Sequence, residues 1–202
     1  MKRLVRVAML LITAFSITGC ISMQEVQHGM NSLDDSWKKR NTSLMKSVGT
    51  KIYKTSKKEA FNAMSMALTD LGFIVESASY ETGLLVLRAP APAPLTKEEY
   101  LIITKGDELE AKEIMSEAAG SLVGSFTSLG SFLSDVVLNV HMLERKKDLL
   151  ISLRMIIDTP AAAVPQGMKM GQQPPPSALK AGAAKIWDAF DRNIFVNKKT
   201  FN

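Results

Sequence analysis

Residues 56–88 hold the tightest local instructions in the chain. Ser56-Lys57-Lys58-Glu59 is a capping box, in which a serine hydroxyl and a glutamate carboxylate satisfy free amides at a helix start. Phe61, Met64, Ala67, Leu68 and Leu71 follow at spacings of three and four and form one apolar stripe. Gly72 stands where a left-handed cap closes such a helix. Beyond it Phe73 and Val75 alternate with Ile74 and Glu76, and Glu81-Thr82-Gly83 turns the chain into Leu84 to Arg88. With Thr50 to Tyr53 as a short strand ahead, this predicts strand, helix and hairpin, in a domain that starts at Gly49.

Pro90-Ala91-Pro92-Ala93-Pro94 cannot continue a sheet, prefers a stiff extended conformation and ends this unit. A second capping box, Thr96-Lys97-Glu98-Glu99, opens helical sequence that runs to Glu117, with a break expected at Gly106. From Ala118 to Ser134 no residue is charged. On a helix Leu122, Phe126, Leu129, Leu133 and Val136 share one face, while Ser121, Gly124, Ser125, Ser128 and Ser131 make a small-residue face. An uncharged helix is normally covered on more than one side, either packed into its own domain or covered by a partner or a second copy. Leu122, Phe126, Leu129 and Leu133 are therefore the candidate partner-binding residues.

A second hairpin follows. Val136 to Leu143 and Leu149 to Asp158 are β-rich runs joined by the charged turn Glu144 to Asp148, and Leu149, Ile151, Leu153, Met155 and Ile157 share a face. Residues 159–176 read as a mobile loop rich in Pro, Gly, Ala and Gln. Ser177 caps a last helix with the stripe Leu179, Ala183, Ile186, Trp187 and Phe190, which packs across the sheet; Ile194 and Phe195 extend that docking. The fold class is α+β: a two-layer sandwich with an antiparallel sheet of about five strands, helices packed on one face and a long helical insertion at 96–135.

The amino-terminal segment has a separate purpose. Met1 to Arg6 is basic, Val7 to Ile17 is apolar and too short to span a bilayer, and Ile17-Thr18-Gly19-Cys20 closes it with small residues before a cysteine. This resembles the lipobox of bacterial lipoproteins. The resemblance implies that residues 1–19 are a removable signal peptide, that Cys20 carries a diacylglyceryl thioether, and that its new amino group is acylated. Three acyl chains at about 0.8 kcal/mol per buried methylene would make a lasting anchor. Ile21, where lipoproteins kept in the inner membrane often have aspartate, implies outer-membrane anchoring facing the periplasm. Residues 20–48 then read as a lipid-anchored tether, interrupted by Gly29 and Asn31, with one helical turn at most and Trp37 either docked on the domain or at the lipid surface. Residues 49–202 form a single periplasmic domain. Its element order is similar to the helix-grip domains of periplasmic lipoproteins such as BamC of the β-barrel assembly machinery, a likeness carried by residues 56–88 and the last helix.

The remaining composition narrows the chemistry. Lys2, Arg3 and Arg6 leave with the signal, so the 25 basic residues fall to 22 against 20 acidic, which removes the case for nucleic acid. Cys20 is the only cysteine, so no disulfide is available. The two histidines are far apart in sequence: His28 lies in the tether and His141 on a strand face, and no residues have metal-ligand or phosphate-loop spacing. Glu98, Glu99, Asp107, Glu108 and Glu110 read as helix-start carboxylates, and Arg145-Lys146-Lys147 as a solvated turn. No catalytic site, metal or cofactor is predicted. The expected function is a non-catalytic binding or scaffold subunit of a cell-envelope complex. The alternative is a carrier of a lipid or other apolar ligand, with Met64, Met142 and Met155 lining its site.

Overall fold

The computed structural model describes residues 22–126, 129, 134–164, 166 and 171–200. Its elements are α1 (Met23–Val48), β1 (Thr50–Tyr53), α2 (Lys57–Asp70), β2 (Ile74–Ser79), β3 (Leu84–Pro90), α3 (Lys97–Ile103), α4 (Lys105–Ala119), α5 (Ser121–Phe126), β4 (Asp135–Arg145), β5 (Asp148–Asp158) and α6 (Pro176–Thr200). A short 3-10 turn at Ala161–Ala163 follows β5. The five strands form one antiparallel sheet in the order β1-β5-β4-β3-β2. The chain is thus an α+β two-layer sandwich.

The local code of residues 56–72 is obeyed, whereas in β2 the alternation fails, since Ile74 and Val75 are both exposed and the register shifts between Val75 and Ser77. Ser56 and Glu59 close the capping box of α2. Past its end the Phe73 amide donates to the Leu68 carbonyl at 3.0 Å and the Gly72 amide to Thr69 at 2.9 Å, the paired bonds of a Schellman cap. Gly72 takes φ +85°, which a side chain at that position would resist. The sheet face below α2 and α6 carries Leu85, Leu87, Leu138, Val140, Met142 and Ile151, all buried with Met64, Leu68, Ile186 and Phe190. Burying each such side chain contributes roughly 1.5–3 kcal/mol. The opposite face exposes Ile52 and Leu143 and bears Arg88. The charged turn between β4 and β5 shrinks to Lys146 and Lys147, because Arg145 already pairs with Asp148.

Five expectations are corrected. Residues 20–48 are not a spacer with one helical turn: Met23 to Val48 is a helix of 26 residues, opened by its own capping box of Ser22 and Glu25. Gly29 lies in its contact face, where an added Cβ would sit 3.0 Å from Met115 Sδ and 3.1 Å from the Ala119 Cβ. Leu33 and Trp37 pack with Ala111, Met115 and Val123 into a second, smaller core. The break in the insertion comes at Thr104, two residues before Gly106.

The uncharged stretch is not one helix either. Gly120, at φ +92°, ends α4, and α5 folds back upon it. Pro90 to Pro94 does not run extended: Ala93 N–H donates to Pro90 and Leu95 N–H to Pro92, each at 3.1 Å, giving successive turns. Finally, α6 starts at Pro176, so Ser177 lies inside its first turn and another residue supplies the cap.

Candidate functional site

At the end of the sheet where β3 leaves and β5 finishes, the two cores do not close upon each other. The Ala91 amide continues the β3–β4 ladder to the Ser134 carbonyl at 3.0 Å, after which the proline turns carry Ala91 to Leu95 across the gap. Trp37 enters from α1, Tyr100 from α3, Met155 and Ile157 from β5, and Ala178 and Leu179 from the first turns of α6. They line a partly open cavity of about 200 Å³.

One wall is a strap, residues 171–175, held by side chains of α1. Asp34 Oδ1 accepts the Gln172 amide at 2.7 Å and the Gln173 amide at 2.9 Å. Asn41 Nδ2 donates to the Pro174 carbonyl at 2.8 Å, and the Ile157 amide donates to Gln172 at 2.8 Å, which ties the strap to β5. The strap leads directly into α6. There Asp107, from α4 and only 4% exposed, accepts from the Ser177 amide at 2.9 Å and from Ser177 Oγ at 3.1 Å. The first turn of one helix is thus capped by a carboxylate from another.

The lining is almost wholly apolar. No Asp, Glu, Lys, Arg or His is among its described residues. Its polar members are Gln173, Tyr100 and the hydroxyl pair Ser134–Thr159, whose oxygens are 2.7 Å apart. Burial, reinforced by the charges of Asp107 and Glu108, pushes the Tyr100 phenol up to about 12, so it is neutral at physiological pH. Beside this cavity two buried polar atoms, Trp37 Nε1 and Asn41 Oδ1, find no hydrogen-bond partner among the described residues. The arrangement offers apolar contact and a few neutral hydrogen bonds.

The sequence-predicted residues fall in different places. Cys20 and Leu133 lie outside the described residues, as does the Phe126 side chain. Leu122 is 56% exposed on α5, while Leu129 packs against the second core and lines the cavity, so these two do not share one outward face. The buried positions of α5 are Val123 and Gly124. Of the three methionines, Met64 and Met142 are sealed in the main core and Met155 alone reaches the cavity. His141 is exposed on the uncovered sheet face.

Asp34, Asn41 and the proline turns escaped the sequence reading; of the two readings of Trp37, docking on the domain is the one the structure shows. The one available signal was Ser22-Met23-Gln24-Glu25, a capping box that marks α1 as a helix. Comparison of the chain with family models, with characterised proteins and with solved structures finds no match.

Proposed function

We propose that this chain is a lipid-anchored cell-envelope protein whose domain takes a small apolar group into the cavity between its two cores, as a binder or carrier. The observation that supports this reading is the cavity itself: about 200 Å³, bounded by Trp37, Leu95, Met155, Ile157 and Leu179, with no charge among its described lining residues. A cavity of about 150 Å³ lined by aliphatic and aromatic side chains stays dry and accepts benzene. One slightly larger suits a single ring or the end of one acyl chain, and is too small for a whole two-chain lipid. Anchoring through Cys20, outer-membrane placement and the signal peptide of residues 1–19 belong to the same proposal. The lipobox resemblance supports them, and α1 would begin three residues beyond the anchor.

The test is photolabelling of the full chain in lipid nanodiscs with a diazirine-bearing alkanol of about eight carbons. Peptides containing Leu95 and Met155 are expected to carry the label. Labelling confined to other segments contradicts the reading.

Exposure of Leu122 favours a second reading, a scaffold subunit that binds an envelope partner through α5. Leu122→Asp should then abolish partner cross-linking in cells without lowering Tm, while Val123→Asp, at a buried position, should unfold the second core. Unchanged cross-linking in Leu122→Asp removes this second reading.

A further inference from the structure

We infer that the cavity selects for uncharged ligands: it takes a short aliphatic chain ending in an alcohol or ester and turns away the matching carboxylate. This rests on the apolar-ligand reading above and adds the class of head group. Two independent features of the site carry it.

The first is the polar inventory of the wall. A carboxylate removed from water needs a cation or several aimed donors, and without them the desolvation penalty is several kcal/mol. No lysine, arginine or histidine is among the described lining residues. What the described wall does supply is neutral: Tyr100, Gln173, and the pair Ser134 Oγ and Thr159 Oγ1, 2.7 Å apart. Within that pair one hydroxyl donates to the other and leaves the second with its own proton. A neutral hydroxyl donor beside acceptor lone pairs suits an alcohol, which can accept and donate, or an ester carbonyl, which accepts.

The second is the state of the neighbouring helix start. The first turn of α6 opens at this cavity through Ala178 and Leu179, and a helix amino terminus ordinarily attracts anions through its free amides and dipole. Here that site is partly taken. Pro176 has no N–H, the Ser177 N–H is bound by Asp107, and the Leu179 N–H is spent on the Pro175 carbonyl at 2.9 Å. The buried carboxylate of Asp107 also places a negative charge beside the spot an anion would want. The carboxylate that caps this helix start thus opposes the recruitment of a fatty-acid anion.

The experiment uses the full chain in nanodiscs and photoreactive probes sharing one diazirine-bearing chain of about eight carbons. They end in an alcohol, a methyl ester, a carboxylate or a plain methyl group, and labelling is normalised to each probe's partition into empty nanodiscs. At neutral pH the alcohol and the ester are expected to label peptides containing Leu95 and Met155 at least ten-fold more than the carboxylate. Carboxylate labelling of the same peptides within two-fold of the alcohol overturns the charge selection and leaves the apolar-ligand reading standing. If no probe labels them, that reading falls and takes this inference with it.

The double variant Ser134→Ala, Thr159→Val keeps the volumes and removes both hydroxyls. It should lower alcohol and ester labelling three-fold or more without changing that of the methyl-ended probe. An equal change for all three would show that the hydroxyl pair does not read the head group.

Discussion

Asp107 and Ser177, seventy positions apart, make the joint between the helical insertion and the last helix. The buried carboxylate takes both the amide and the hydroxyl of Ser177, at 2.9 and 3.1 Å. Removing it strips a cap, commonly worth about 1 kcal/mol, and leaves two donors unsatisfied at about 1–3 kcal/mol for buried groups. Asp107→Ala should therefore cost about 2–3 kcal/mol in urea unfolding. Glu108→Ala, which loses only a partly exposed pair with Lys112, should stay within about 0.5 kcal/mol. Equal losses would contradict the capping role.

Two glycines of the insertion should respond to alanine with opposite signs. In a helix, alanine is ordinarily favoured over glycine by up to about 1 kcal/mol. Gly106 lies in α4 with nothing within 4 Å of an added Cβ, so Gly106→Ala should stabilise by about 0.5 kcal/mol. At Gly124 the same methyl would strike the Ser116 hydroxyl and come within 2.6 Å of the Lys112 carbonyl. Gly124→Ala should therefore destabilise and force α5 away from α4. Thermal unfolding of both variants checks the sign.

These two positions show what sequence can and cannot carry. The Ser56–Glu59 box, the stripe to Leu71 and the Gly72 cap are local, so hydrogen bonds within a few residues decide them and α2 was legible. The face of α1 was not, because its buried positions are Gly29, Leu33, Trp37 and Asn41. A glycine answers to Met115 there, and an asparagine answers to the Pro174 carbonyl, both remote in sequence. No apolar period records such partners. The cavity was illegible for the same reason: Trp37, Leu95, Met155 and Leu179 come from four segments and meet only when the sheet ends and the proline turns fold.

Arg88 restrains a like-charge pair. Asp135 and Asp158 stand directly opposite each other on β4 and β5, and the guanidinium reaches both, at 3.2 and 2.8 Å, as well as Glu76 at 2.6 Å. Hydrogen bonds to Asp158 and Glu76 hold Arg88 well above the ordinary arginine pKa, so it stays charged. All four side chains are partly exposed, so Arg88→Met should cost only about 1 kcal/mol at low ionic strength. Repulsion between the bare carboxylates is screened by salt, so the loss should shrink towards zero in about 1 M NaCl. A loss independent of salt would point to packing instead.

Glu99 links α3 to α6 through Lys185 at 2.7 Å. That hydrogen bond, with the Thr96 amide, holds its carboxyl below the ordinary glutamate value. A depressed carboxylate binds its proton more readily in the unfolded chain than in the folded one. Its contribution is present above the ordinary carboxyl range and is lost as pH falls through the folded value. Glu99→Gln should flatten that part of the stability curve on the acid side and leave the alkaline side unchanged. An unaltered acid limb in urea titrations contradicts the assignment.

Filling the cavity tests its role most directly. Ala178 is 8% exposed and lines the space, so Ala178→Leu places a larger apolar side chain into it. Photolabelling by the diazirine alkanol is measured on the full chain in nanodiscs, with Tm recorded alongside. If the cavity is the binding site, label on the peptides containing Leu95 and Met155 should fall at least ten-fold while Tm is kept or raised. Undiminished label on those peptides, in a variant as stable as the parent chain, would mean that the apolar group binds elsewhere.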